Sequence, residues 1–186
     1  MARRVNFSYS DDNLSLDEID KTYNKVLSSI ETKYSEDKNF YYSEEFIGYT
    51  QEEICQERDD VIDEVEKEVS LTLFASVEAS LRSDFINRCQ LKKKDKLSKF
   101  YRSGYNPKKR IYTYGLSEVV MKGWQEYLPE HENLIKQVND VFQYRNWLAH
   151  GRYWQLAQPF QRYDYNTLYA LLRTFLSQIE PYLMVV

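Results

Sequence analysis

A chain of 186 residues, 42% apolar, is long enough for one domain with its own core, and 5 glycines and 4 prolines supply too few tight turns for a sandwich or barrel. Cys55 and Cys89 have neither metal-ligand spacing nor a disulfide framework, which points to a reducing, cytoplasmic setting. No window approaches eighteen apolar residues, so no membrane span is expected, and residues 1–8 lack the apolar core of a secretory signal.

Residues 1–14 read as a loose polar segment. A helix is predicted from Ser15, which has capping-box spacing to Glu18, with Leu16, Ile19, Tyr23, Val26, Leu27 and Ile30 as its apolar stripe. Residues 33–46 read as a polar connection. A long helix from about Thr50 to Gln90 follows, with Ile54, Val61, Val65, Val69, Leu73, Val77 and Leu81 at helical spacing, and its length predicts a break or kink. A short helix is expected over 95–103, a loop at Pro107 and a short extended piece at 111–114. Ser117–Tyr127 reads as a further short helix stopped by Pro129. Two amphipathic helices complete the chain, from about Glu130 to His150 and from about Tyr165 to Glu180. Four principal helices with one apolar face each predict an all-α fold: an up-and-down four-helix-type bundle with extra short helices, residues 15–186 forming one domain with a basic insert at about 88–114.

The net charge of −4 is unevenly spread. Residues 88–110 hold ten Lys or Arg and the single acid Asp95, a local +9, while 44–68 hold eleven acids against Arg58 and Lys67. Lys92, Lys93, Lys94, Lys96, Lys108, Lys109 and Arg110 are candidate RNA contacts, because phosphate-binding cations are interleaved with Phe100, Tyr101, Tyr105, Tyr112 and Tyr114 as stacking surfaces. The alternative is a solvated loop whose charges serve solubility.

The most informative stretch is Tyr144-Arg145-Asn146-Trp147-Leu148-Ala149-His150-Gly151. Histidine takes and gives protons near neutrality, and the planar fork of arginine matches phosphate oxygens. Five helical residues turn about 500°, so Arg145 and His150 point about 140° apart, with Asn146 one turn before His150. Gly151 suits the position after a helix end and would hold His150 on the last turn. Spacing alone decides little, since eleven arginines and two histidines produce such pairs by chance; the plain alternative is a histidine bonding the last free carbonyls of its helix.

These residues resemble the Arg-Asn-x-x-Ala-His-Gly signature of HEPN-domain proteins, defined by Arg, four to six residues, then His. The chain looks most like the RiboL-PSP-like and related stand-alone bacterial branches found in toxin–antitoxin and phage-defence systems. Leu73–Arg82 is also similar to that family's central helix, with the acid Glu78 on an apolar face. The resemblance implies a metal-independent endoribonuclease without cofactor, acting as a homodimer whose cleft takes one motif from each protomer and leaving 2′,3′-cyclic phosphate and 5′-hydroxyl ends. In that reading His150 moves the proton of the ribose 2′-hydroxyl or the leaving oxygen, Arg145 holds the scissile phosphate, Asn146 gives a second polar contact, and Arg152 adds a phosphate ligand. One branch with a nucleotidyltransferase antitoxin carries Tyr two residues after the His; here that position is Arg152 and Tyr153 comes one later, which puts control by tyrosine modification in doubt. An antitoxin protein is a further implied partner. Glu78 fits either an ion pair with Arg82 or an acid pairing with Arg145 or His150 from a neighbouring helix. Trp147, Tyr153 and Trp154 read as core or dimer interface in preference to a base-stacking platform. The rival readings are a non-catalytic HEPN module binding RNA or nucleotide, and a structural helical dimerisation protein.

Overall fold

The computed structural model describes residues 12–35, 46–91, 93–106, 108–109, 113–156 and 163–184. Most of the expected loose segment 1–14 lies outside them, as do Lys92, Pro107, Arg110, Ile111 and Tyr112. The described residues are helical, with no strand among them; Thr113 and Tyr114 sit in turns where the sequence suggested an extended piece.

Polar caps fix where the long helices start. Ser15 begins α1 (Leu16–Lys33) with the expected capping box to Glu18, and Thr50 begins α2 (Gln51–Gln90) with a second one to Glu53. In each, the cap oxygen accepts an orphan backbone N–H and the glutamate accepts the cap's own N–H. α2 runs forty residues as one element, without the predicted break. Packing along its length accounts for this. Near its start Ile54 sits with Tyr34 and Phe46, and from Val65 onward it lies against the main core.

Contacts along α2 set the direction of its neighbours. The Leu14 carbonyl accepts from Ser76, Tyr23 reaches Glu66 and Tyr34 reaches Glu57, so α1 runs antiparallel to α2. Arg145 meets Glu78 and Arg152 meets Glu64, so α5 (Glu132–Ala149) is also antiparallel. Tyr165 binds Glu66 while Met184 binds Asp84, so α6 (Tyr165–Ile179) runs parallel to α2. These four helices form the up-and-down bundle, around buried Leu73, Phe74, Val77, Val138, Leu168 and Phe175.

Short elements close the far end. α3 (Lys96–Gly104) starts on the cap Asp95, and a π-helical turn, Leu116–Met121, leads into α4 (Lys122–Tyr127) where one short helix was predicted. α4 packs on α3 so closely that a β-carbon at Gly123 would overlap the Tyr101 ring and come within 3.0 Å of Leu97. Single turns of 3₁₀ helix at Pro129–His131 and Glu180–Tyr182 follow the proline stops. Among the described residues, no helix is long and apolar enough to cross a membrane.

Candidate functional site

α5 buries Ile135, Val138, Val141, Phe142, Tyr144 and Leu148, which leaves Arg145 and Asn146 toward solvent. The helix then ends in a doubly closed turn: Gly151 N–H donates to the Leu148 carbonyl at 3.3 Å and Arg152 N–H to the Trp147 carbonyl at 3.0 Å. Gly151 takes φ 82 and Arg152 takes φ 58. A non-glycine residue in the left-handed region costs about 1–2 kcal/mol. Two tethers offset it: Arg152 Nη1 lies 2.8 Å from both oxygens of Glu64, and Trp147 Nε1 donates to the Trp154 carbonyl at 2.7 Å.

His150 caps the helix through its backbone and not its side chain, because the N–H groups of His150, Gly151 and Arg152 occupy the carbonyls of Asn146, Leu148 and Trp147. His150 is exposed, and among the described residues its ring makes no hydrogen bond or ion pair, only a ring contact to Trp154 at 6.4 Å. Arg152, expected as a phosphate ligand, pairs with Glu64, and Lys67 shares that carboxylate at 2.9 Å. Hydrogen bonds from Lys67 first, then Arg152, hold the Glu64 carboxyl below its ordinary pKa, so it stays charged. Tyr153, 82% exposed, and Trp154 stand outside the core; Trp147 is half-buried and stacks on Tyr144.

Arg145 sits at one end of a polar line across the bundle. Its Nη1 donates to Asn146 Oδ1 and its Nη2 to Glu78 Oε2, both at 3.3 Å, while Glu78 Oε1 accepts from Arg82 Nε at 2.7 Å. Glu78 thus makes the pair with Arg82 and the pair with Arg145 together. Arg82 Nη1 continues to the Tyr114 carbonyl at 3.1 Å, so the end of the basic segment is two side chains from the motif. The 3.3 Å contacts of Arg145 are longer than the usual N–H···O range, and its side chain is 34% exposed, so its fork remains accessible.

The basic segment divides in two. Arg88 is buried against Asp84 and Asp95, donates to the Tyr182 carbonyl and stacks 5.3 Å over Trp124; Arg102 donates to the carbonyls of Arg88 and Lys93. Neither is available to a polyanion, a correction to the +9 that the sequence suggests. The four-residue spacing from Asp84 to Arg88 on an apolar helix was the signal for that pair. The interleaved aromatics also turn inward: Tyr101, Tyr105 and Tyr114 all ring Phe85. Lys93, Lys94, Lys96, Lys99, Lys108 and Lys109 are exposed, Lys109 lying 5.0 Å from the Tyr114 ring, while Lys92 and Arg110 lie outside the described residues.

One feature had no sequence signal. A cleft of about 200 Å³ opens beside Tyr144, between α2 and the start of α6, and Ser70, Lys67 and Tyr165 line it too. Its residues are scattered in the sequence, and the packing of α5 and the start of α6 against α2 brings them together.

Among the described residues, no three His, Cys, Asp or Glu side chains gather as a metal-binding group. Compared with protein-family models, with curated proteins and with solved structures, the chain matches none.

Proposed function

We propose that the protein is a HEPN-type endoribonuclease that cleaves RNA without a metal ion to 2′,3′-cyclic phosphate and 5′-hydroxyl ends. The observation that carries this reading is His150: an exposed histidine, free of hydrogen bonds among the described residues, on a rigid helix-end turn five residues after an accessible Arg145. Backbone hydrogen bonds close the turn that carries this histidine and leave its ring open. An unpaired imidazole and a guanidinium presented from the same helix end suit transfer of the 2′-hydroxyl proton, with the cation stabilising charge on the phosphate.

The two side chains diverge along one helix, so a complete site draws on a second copy of the motif, and the protein acts as a homodimer. Tyr153 and Trp154, exposed beside His150, are the apolar surface next to the site that a second protomer would cover. The exposed lysines at 93–96 and 108–109 provide the RNA with phosphate contacts. In this reading the protein is a cytoplasmic toxin or phage-defence effector, with an antitoxin protein as a further partner. Incubating the protein with a 5′-labelled RNA in excess EDTA tests the reading: cyclic-phosphate-ended fragments are expected, and intact RNA across several substrates contradicts it.

The Glu78–Arg145 pair favours a second reading, in which Arg145 only fastens α5 to α2 and the protein is a helical binding or dimerisation module. RNA binding without any cleavage selects that one.

A further inference from the structure

We propose that the cleft beside Tyr144 is a base-binding subsite that takes an amino-bearing nucleobase (adenine, cytosine or guanine) of the RNA strand whose phosphate lies at Arg145. The inference rests on the ribonuclease reading and adds its base preference. Tyr144 is 6% exposed and Ser70 is 2% exposed; both line the cleft, and among the described residues neither hydroxyl makes a hydrogen bond. Although the side chains are buried, the two hydroxyl oxygens are not: each is open to solvent where it lines the cleft. Two of them, from two helices, left for one shared space define a polar ligand site.

The size and charge of the cleft select the ligand. At about 200 Å³ it is smaller than the pockets that enclose drug-sized molecules, and it suits one flat ring system without its phosphate. Among the described lining residues, Asp63, Glu66 and Asp164 accompany one cation, Lys67, which is itself paired with Asp63 and Glu64. That balance repels phosphate and favours a neutral group rich in N–H donors. Glu66 is taken by the Tyr23 hydroxyl and the Tyr165 N–H, and Asp164 by Thr167, which leaves Asp63 with one oxygen outside its lysine pair. A carboxylate accepts from the exocyclic amine of cytosine, adenine or guanine, whereas uracil offers it only the N3–H, flanked by two carbonyls that the acid repels. The half-buried Tyr163 supplies an aromatic surface for stacking, while the Tyr165 ring is buried between Tyr23 and Tyr169. Burial, foremost, raises the Tyr144 phenol above its ordinary pKa, so it remains a donor at neutral pH.

The location fits a base next to the scissile phosphate. Tyr144 precedes Arg145, about 100° round the same helix. Lys67, Glu64 and Arg152 form a continuous ion-paired chain from the rim of the cleft to the turn that carries His150.

Two measurements on the full chain test this: saturation-transfer NMR with adenosine, cytidine, guanosine and uridine, and end-sequencing of fragments from a randomised RNA. Both are run on wild type, Tyr144→Phe and Ser70→Ala, with helicity checked by circular dichroism. The expected result is preference for the amino-bearing nucleosides over uridine by about tenfold, the discrimination one good base-edge contact supplies, matched at the cut site and reduced several-fold in both variants. Should Tyr144→Phe fail to fold, Ser70→Ala decides alone. Equal binding of uridine, or a preference unmoved in the folded variants, overturns the proposal. Nucleoside binding without any base preference at the cut site also overturns it, by assigning the cleft to a free nucleoside. If no RNA is cut, the ribonuclease reading fails separately, and a nucleoside preference lost in the variants still places a nucleobase in the cleft.

Discussion

Glu78 on α2 receives Arg82 at 2.7 Å on one carboxylate oxygen and Arg145 at 3.3 Å on the other, so one acid joins the central helix to the motif helix. Its side chain is 19% exposed, between two guanidinium groups. Glu78→Gln keeps the shape and removes the charge that both arginines share. After discounting for partial exposure, the expected cost is about 1–2 kcal/mol in urea unfolding. RNA cleavage is expected to fall by more than stability explains, by about tenfold or more, because a displaced Arg145 no longer meets the phosphate in line. Unchanged cleavage would mean that Glu78 serves the fold alone.

The turn that presents His150 makes a second test. A β-carbon at Gly151 would meet nothing within 4 Å, so any penalty of Gly151→Ala comes from φ 82 itself. The expected cost is about 1–2 kcal/mol by thermal or urea unfolding. Arg152→Gly relieves φ 58 but loses the surface pair to Glu64, a contribution of about 0–1 kcal/mol, so it should be close to neutral. Equal losses from the two substitutions would contradict this account of the turn.

Alanine usually stabilises a helix relative to glycine, so Gly123→Ala tests packing by the sign of its effect. Here the new methyl would strike the Tyr101 ring and Leu97. Destabilisation of about 1–3 kcal/mol is expected, and stabilisation would show that α3 and α4 are not in this contact.

Much of the fold was legible in the sequence, because capping and periodicity are local. Ser15 with Glu18 marked the start of α1, and the apolar spacing from Ile54 to Leu81 marked α2 within a residue. The continuity of α2 was not legible, since it depends on Tyr34 and Phe46 covering Ile54 from another part of the chain. In the site, the order Arg145, His150, Gly151 announced a polar helix end. The ring environment of Phe85, which buries Tyr101 and Tyr114 and draws Tyr105 inward, could not be read from their alternation with lysines. Charge counting likewise overstated the basic segment, because the partners of Arg88 include a backbone carbonyl at residue 182.

Burial, foremost, pushes the Cys89 thiol up to about 12, with Asp84 adding to the rise and Arg102 opposing it. Thiolate is the reactive form, so at pH 8 a thiol reagent should label half-exposed Cys55 first and Cys89 only on unfolding. The sign for stability follows from the raised value. Folding favours the protonated thiol, so this contribution is complete below the unfolded thiol pKa of about 8.5 and is lost as pH rises from there toward 12. Cys89→Ala should flatten the loss of stability over that alkaline range; an unaltered pH profile would contradict it.

The central claim is that an exposed His150 and the neighbouring Arg145 perform RNA cleavage. The direct measurement compares wild type, His150→Ala and Arg145→Ala on one labelled RNA in excess EDTA, with urea unfolding run beside each. His150 makes no hydrogen bond among the described residues, so His150→Ala should unfold within about 0.5 kcal/mol of wild type while cleavage falls by about 10²–10⁴-fold. Arg145→Ala should lose cleavage to a similar degree, at some cost in stability from its Glu78 pair. Cleavage by His150→Ala at the wild-type rate, with its fold intact, would contradict the account.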